Sequence, residues 1–130
     1  MRRSPGKTKS KARIKAERSG HRAELVAAWF LRLKLYRIIA KRYKTPGGEI
    51  DLIAERFGTI VFVEVKQRKR NTDEYALWAS VNHARIVRAS DFWISRNPTK
   101  AMTNMRFDVI FLAPGRWPRH VINAFDASKR

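Results

Sequence analysis

The sequence contains no cysteine, which excludes disulfide frameworks, thiolate zinc sites and cysteine nucleophiles together. No apolar run approaches the ~20 residues of a membrane-spanning helix; the longest is Leu25–Leu31. The basic start of the chain leads into no signal-type hydrophobic segment, so a cytoplasmic protein is expected. Acidic residues are scarce, 11 Asp+Glu against 29 Lys+Arg, leaving a net charge of +18. Hydrophobic residues still make up 44% of the 130 positions, enough for one packed domain and against wholesale disorder.

The positive charge is spread along the chain. Residues 1–22 hold nine of the basic residues and one of the acidic ones, so the remainder holds twenty and ten and is itself basic. Such a field attracts phosphate polymers, and nucleic acid is the leading partner. An anionic membrane surface or an acidic protein would also fit the charge, but no basic amphipathic helix with a clean apolar face lies near the terminus. Residues 1–18 are almost without apolar content and read as a flexible basic arm; residues 19–130 read as the single folded domain.

Within that domain Leu25, Val26, Trp29, Phe30 and Leu33 recur at helical spacing. They predict a helix over 20–35, capped by Ser19 and burying one broad apolar face. Residues 36–43 read as a strand, Thr45-Pro46-Gly47-Gly48 as a turn, and 49–55 and 59–67 as two strands joined around Phe57-Gly58. Leu77, Val81, Ala84, Val87 and Ile94 predict a second helix over 77–96, ended by Asn97-Pro98. Residues 106–112 read as another strand and 121–125 as a last short one. The order α-β-β-β-α-β-β predicts an α/β fold, a mixed sheet flanked by helices.

Alternation along the two central strands places charge where it needs a reason. Glu49, Asp51 and Ile53 share one face of the first, with Ile50 and Leu52 on the other. On the second strand Phe62, Glu64 and Lys66 share a face opposite Val61, Val63 and Val65. With Phe57-Gly58 as a two-residue loop, Asp51 lies across from Glu64 and Glu49 across from Lys66. A three-residue loop ending in Gly58 would shift the register and split this cluster. Facing carboxylates repel unless a cation relieves them. A hard divalent ion such as Mg²⁺ prefers oxygen ligands of this kind, and Lys66 could then serve a metal-bound water or a scissile phosphate. The bland alternative is a solvated strand face with an ordinary Glu49–Lys66 pair. Against it, Glu64 interrupts the otherwise apolar run Ile60–Val65, and Lys66 closes that run.

The segment GGEIDLIAERFGTIVFVEVKQR resembles the YraN-like family of small bacterial proteins described as predicted endonucleases. Gly20 with Ala23-Glu24, Gly48-Glu49-Ile50-Asp51, Phe62-Val63-Glu64-Val65-Lys66, Arg106-Phe107-Asp108 and Asn123-Ala124-Phe125 match its blocks across residues 20–126. The resemblance implies a restriction endonuclease-like PD-(D/E)XK core, similar to archaeal Holliday junction resolvases. It implies Asp51 and Glu64 as metal ligands, Lys66 as catalytic base or charge stabiliser, and Glu24 as a further acid near the metal. Mg²⁺ or Mn²⁺ would be the cofactor, branched or single-stranded DNA the substrate, and a homodimer the assembly. Ile50 stands where the superfamily carries proline, and Arg85 where relatives often carry lysine on the second helix.

Around this site Arg68, Lys69, Arg70 and Arg85 are expected to contact nucleic-acid phosphates, while Tyr75 and Trp78 pack at the edge of the core. Gln67 belongs to the site or to the strand surface with equal weight, and Glu49 to an outer ring of acids. Asp108 is expected to pair with an arginine, and His21, His83 and His120 to be surface or packing residues without metal-ligand spacing. The leading expectation is a metal-dependent DNA endonuclease. The alternatives are a non-catalytic nucleic-acid binding module on the same fold, and an adaptor docking an acidic protein.

Overall fold

The computed structural model describes residues 10–68 and 73–127. Helix α1 spans Lys11–Leu33, then come strands β1 (Arg37–Thr45), β2 (Gly48–Arg56) and β3 (Thr59–Gln67). Helices α2 (Glu74–Ala79) and α3 (His83–Arg96) come next, with a single 3₁₀ turn at Pro98–Lys100 and strands β4 (Asn104–Leu112) and β5 (Arg119–Phe125). The five strands form one mixed sheet in the order β1-β2-β3-β4-β5. Only β3 and β4 run parallel, because the α2–α3 segment between them is long enough for a crossover. No helix among the described residues is long and apolar enough to cross a membrane.

Helix α1 starts at Lys11, well before Gly20, so Ser19 lies inside it and does not cap it. Of the arm expected over 1–18, residues 1–9 lie outside the described residues and 11–18 are helical. The helix ends at a Schellman turn. Tyr36 N–H donates to Leu31 O at 2.9 Å, Leu35 N–H donates to Arg32 O at 3.0 Å, and Leu35 sits at φ 71°. That left-handed position usually falls to glycine.

The buried face of α1 is not the predicted one. Ala23, Glu24, Ala27, Ala28 and Leu31 are buried, whereas Leu25, Val26, Trp29 and Leu33 are exposed. Small residues let the helix backbone approach the sheet, and that closeness decides which face turns in. This side of the core joins α1 to Leu52, Ala54, Val61, Val63 and Ile110. On the other face Ile53, Ile60, Phe62, Val109 and Phe107 pack against Ile86, Val87 and Trp93 of α3.

The helix predicted over 77–96 is two helices broken at Ser80–Asn82. Asp73 caps α2 by accepting Ala76 N–H, and Asn82 caps α3 by accepting Arg85 N–H. Tyr75, expected at the core edge, is exposed, while Trp78 packs against Phe111. His83 stacks on Phe125 at 4.3 Å, a packing histidine as expected.

Candidate metal centre

Positive φ at Phe57 (50°) and Gly58 (77°) makes the two-residue hairpin turn. It sets Arg56 against Thr59 and, four rungs on, Leu52 against Val63, the register anticipated from the loop length. The next rung would pair Asp51 with Glu64. There the strands part, and Val65 N–H donates to Asp51 Oδ2 at 2.8 Å. A side chain has replaced a ladder bond, and the alternation of β2 breaks with it. Ile50 and Ile53 both pack on the α3 side, while Leu52 packs toward α1. The expectation that Ile50 shares a face with Leu52 is therefore corrected.

The fork opens into a cleft of about 250 Å³ lined by Glu24, Arg42, Glu49, Asp51, Val65 and Gln67, with Gly20, His21 and Ala23 of α1. Carboxylate oxygens of Glu24, Glu49 and Asp51 lie within 4.8 Å of one another. Sequence reasoning had paired Asp51 with Glu64 as ligands. Asp51 is common to both sets, Glu49 joins the cluster, and Glu64 stands beside it, hydrogen-bonded to Asp51.

Crowded negative charge shows in the acidities. Glu64 is pushed up to about 8 by burial, by the charge of Asp51 and by the hydrogen bond between the two, with Lys66 and Arg85 offsetting part of the rise. Glu24 is raised to about 7 by burial and by Asp51, with Arg42 opposing and Glu49 reinforcing. A crowded all-oxygen set, in which Glu24 and Glu64 resist ionisation, fits a hard divalent cation.

Arg42 is the residue that sequence reasoning missed. Its Nε lies 3.3 Å from Glu24 Oε1 and 3.8 Å from Glu49 Oε1. Glu49, expected as an outer acid, is thus turned to Arg42 and not to the Lys66 of the bland alternative. Arg42 has φ 51° in the middle of β1, and the β1–β2 register shifts between Ile38 and Ala40. Two adjacent cations, Lys41-Arg42, interrupt the alternation of that strand and were the available signal.

Lys66 comes two residues after Glu64 on the same strand face and is half-buried. Arg85 lies over the turn before Glu49, so close that a Cβ on Gly48 would meet Arg85 Cγ at 2.6 Å. Arg68 follows β3, its N–H donating to Leu112 O at 2.6 Å, and lines a different cavity. Lys69 and Arg70 lie outside the described residues.

Asp108 pairs with an arginine as expected and does more. Fully buried, it accepts two hydrogen bonds from Arg106, at 2.8 and 2.9 Å, and one from Asn123 N–H at 2.9 Å. His120 Nε2 lies 2.6 Å from it, and Lys34 Nζ 2.7 Å from His120 Nδ1. This polar chain sits in the core and supports the β4–β5 pair.

Fold and site together define an α/β protein with a mixed five-stranded sheet and a carboxylate cluster able to hold a metal ion. Residues 23–112 match the uncharacterised protein family UPF0102, and the chain belongs to that family. It is 47% identical over 117 residues to a UPF0102 protein of Rhodopseudomonas palustris, covering 90% of each chain. It is also 47% identical over 116 residues to one of Mesorhizobium japonicum, covering 89% of this chain and 93% of that one. A Bradyrhizobium relative is 46% identical over 124 residues, with 95% and 88% covered.

Proposed function

We propose that the chain is a metal-dependent endonuclease with a PD-(D/E)XK core, hydrolysing phosphodiester bonds in DNA. The observation that carries this reading is the Asp51 carboxylate at the fork of β2 and β3, gathered with Glu24 and Glu49. Asp51, Glu24 and Glu49 would hold Mg²⁺ or Mn²⁺, and Glu64 would join them once its proton is displaced. The bound cation supplies a Lewis acid that activates water at neutral pH. Lys66, on the face of Glu64, orients the attacking water and offsets charge developing on the phosphate. Arg42 screens the carboxylates and steadies Glu24 and Glu49 while the substrate is absent. The net charge of +18 draws the polyanion without reading its sequence.

The test is cleavage of branched, flapped and single-stranded DNA with Mg²⁺ or Mn²⁺. Asp51→Ala and Lys66→Ala are expected to abolish it, and activity surviving both substitutions would overturn the assignment. A second reading, a nucleic-acid binding module without turnover, is favoured by Arg42, whose guanidinium already acts as counter-ion to Glu24. Calorimetric titration with Mn²⁺ separates the two, since the binding module predicts no heat at high protein concentration.

A further inference from the structure

At the carboxyl ends of the parallel strands β3 and β4 lies a cavity of about 440 Å³ that the hydrolytic reading does not use. Leu77, Phe111 and Leu112 give it an apolar lining, and the cationic residues Arg68, Arg116 and Arg119 line it as well. Trp117, also on its wall, is 75% exposed. Its ring lies within 6° of parallel to that of Trp29 on α1, with centroids 6.4 Å apart. Three cationic residues around one apolar hollow favour an anion there. An exposed indole above it offers a flat π-face. A ligand satisfying both features carries a planar ring and a negative charge on one short unit, as a nucleotide does. In a duplex, neighbouring pairs cover the base faces; in a single strand they are open to stacking.

We infer that this cavity binds one unit of single-stranded nucleic acid, its base stacked on Trp117 and its phosphates held by Arg68, Arg116 and Arg119. The inference rests on the reading of the chain as a nuclease and names the form of substrate it takes. Arg68 stands two residues beyond Lys66 on the same stretch of chain, roughly 7 Å further along. Gln67, the residue before Arg68, lines the acidic cleft, so a strand held in the cavity lies near the carboxylates.

The experiment uses the full chain with a chelator present, so that nothing is cleaved. Fluorescence anisotropy compares a labelled oligo(dT) of about 12 nucleotides, within the range of single-strand site sizes, with an abasic deoxyribose-phosphate chain of the same length. Trp117→Ala is expected to weaken oligo(dT) binding about fivefold or more, since base–aromatic stacking is lost, and to leave the abasic chain unchanged. Trp117→Phe keeps most of the affinity, and Arg116→Ala weakens both probes. Oligo(dT) binding that ignores Trp117→Ala, or a loss shared equally by the abasic chain, overturns the proposal. Cleavage assays stand apart from this result. A protein that cuts no DNA yet binds through Trp117 refutes the nuclease and keeps the cavity; one that cuts but binds without Trp117 does the reverse.

Discussion

Replacing Asp108 with alanine removes the acceptor on which the buried polar chain converges. The carboxylate is fully buried, takes both prongs of Arg106, and meets His120 and the Asn123 N–H. Burial alone would raise its pKa, but the bonds from His120, Arg106 and Asn123 outweigh burial and hold it below the ordinary aspartate range. Removing one partner of such a buried pair leaves the other charge uncompensated, a loss of about 3–5 kcal/mol. Against a total stability of about 5–15 kcal/mol, this brings the protein close to unfolding at 37 °C. With a urea slope near ~1.5 kcal/mol per M, the midpoint should fall by about 2–3 M. Urea denaturation followed by tryptophan fluorescence reads it directly. The sign of the pH effect is set by the depressed pKa. The stabilisation is complete above the unfolded value near ~4 and is lost as pH falls through the lower folded value. Asp108→Ala should thus converge with the parent protein in acid. A loss under about 1 kcal/mol at neutral pH, or one independent of pH, would refute the reasoning.

Three further outcomes rest on local geometry. Gly48→Ala places a Cβ 2.6 Å from Arg85 Cγ and 3.2 Å from its carbonyl oxygen; a cost of about 1–3 kcal/mol is expected in urea denaturation. Leu35→Gly relieves an exposed left-handed residue at the end of α1 and should stabilise by about 0.5–1 kcal/mol, the strain relieved less the added entropy of the unfolded chain. In chelator, Glu24 and Glu64 hold their protons to about 7 and about 8 while their unfolded counterparts release them near 4.5. The folded chain then binds more protons in this window, so stability falls as pH rises across it and levels off above. Melting curves should show Glu64→Gln flattening that fall, and an unchanged slope would count against the crowding of the carboxylates.

Much of the central hairpin was legible because strand physics is local. The Phe57-Gly58 loop and the alternation around it set the Leu52–Val63 register. The fork beyond that rung was not legible, since a side chain taking over a ladder bond leaves no mark on periodicity. The inward face of α1 was misread because hydrophobicity favours Leu25 and Trp29, whereas close approach to the sheet favours Ala23, Ala27 and Ala28. The break between α2 and α3 carried a signal, Asn82 as a cap, hidden within a continuous apolar period. Asp108 and His120 meet only through β4–β5 pairing, which no spacing along a single chain reveals.

The parallel pairing of β3 with β4 has a kinetic consequence. Strands β1 to β3 join neighbours through short turns and can pair early, whereas β4 reaches β3 only after the α2–α3 crossover has been traversed. During that interval β3, the run Thr59–Gln67, presents an open and largely apolar edge of the kind that recruits other chains. Glu64 and Lys66 are the charges within that run. On the nascent molecule, before any site exists for them to serve, they act as gatekeepers that keep the waiting edge from aggregating.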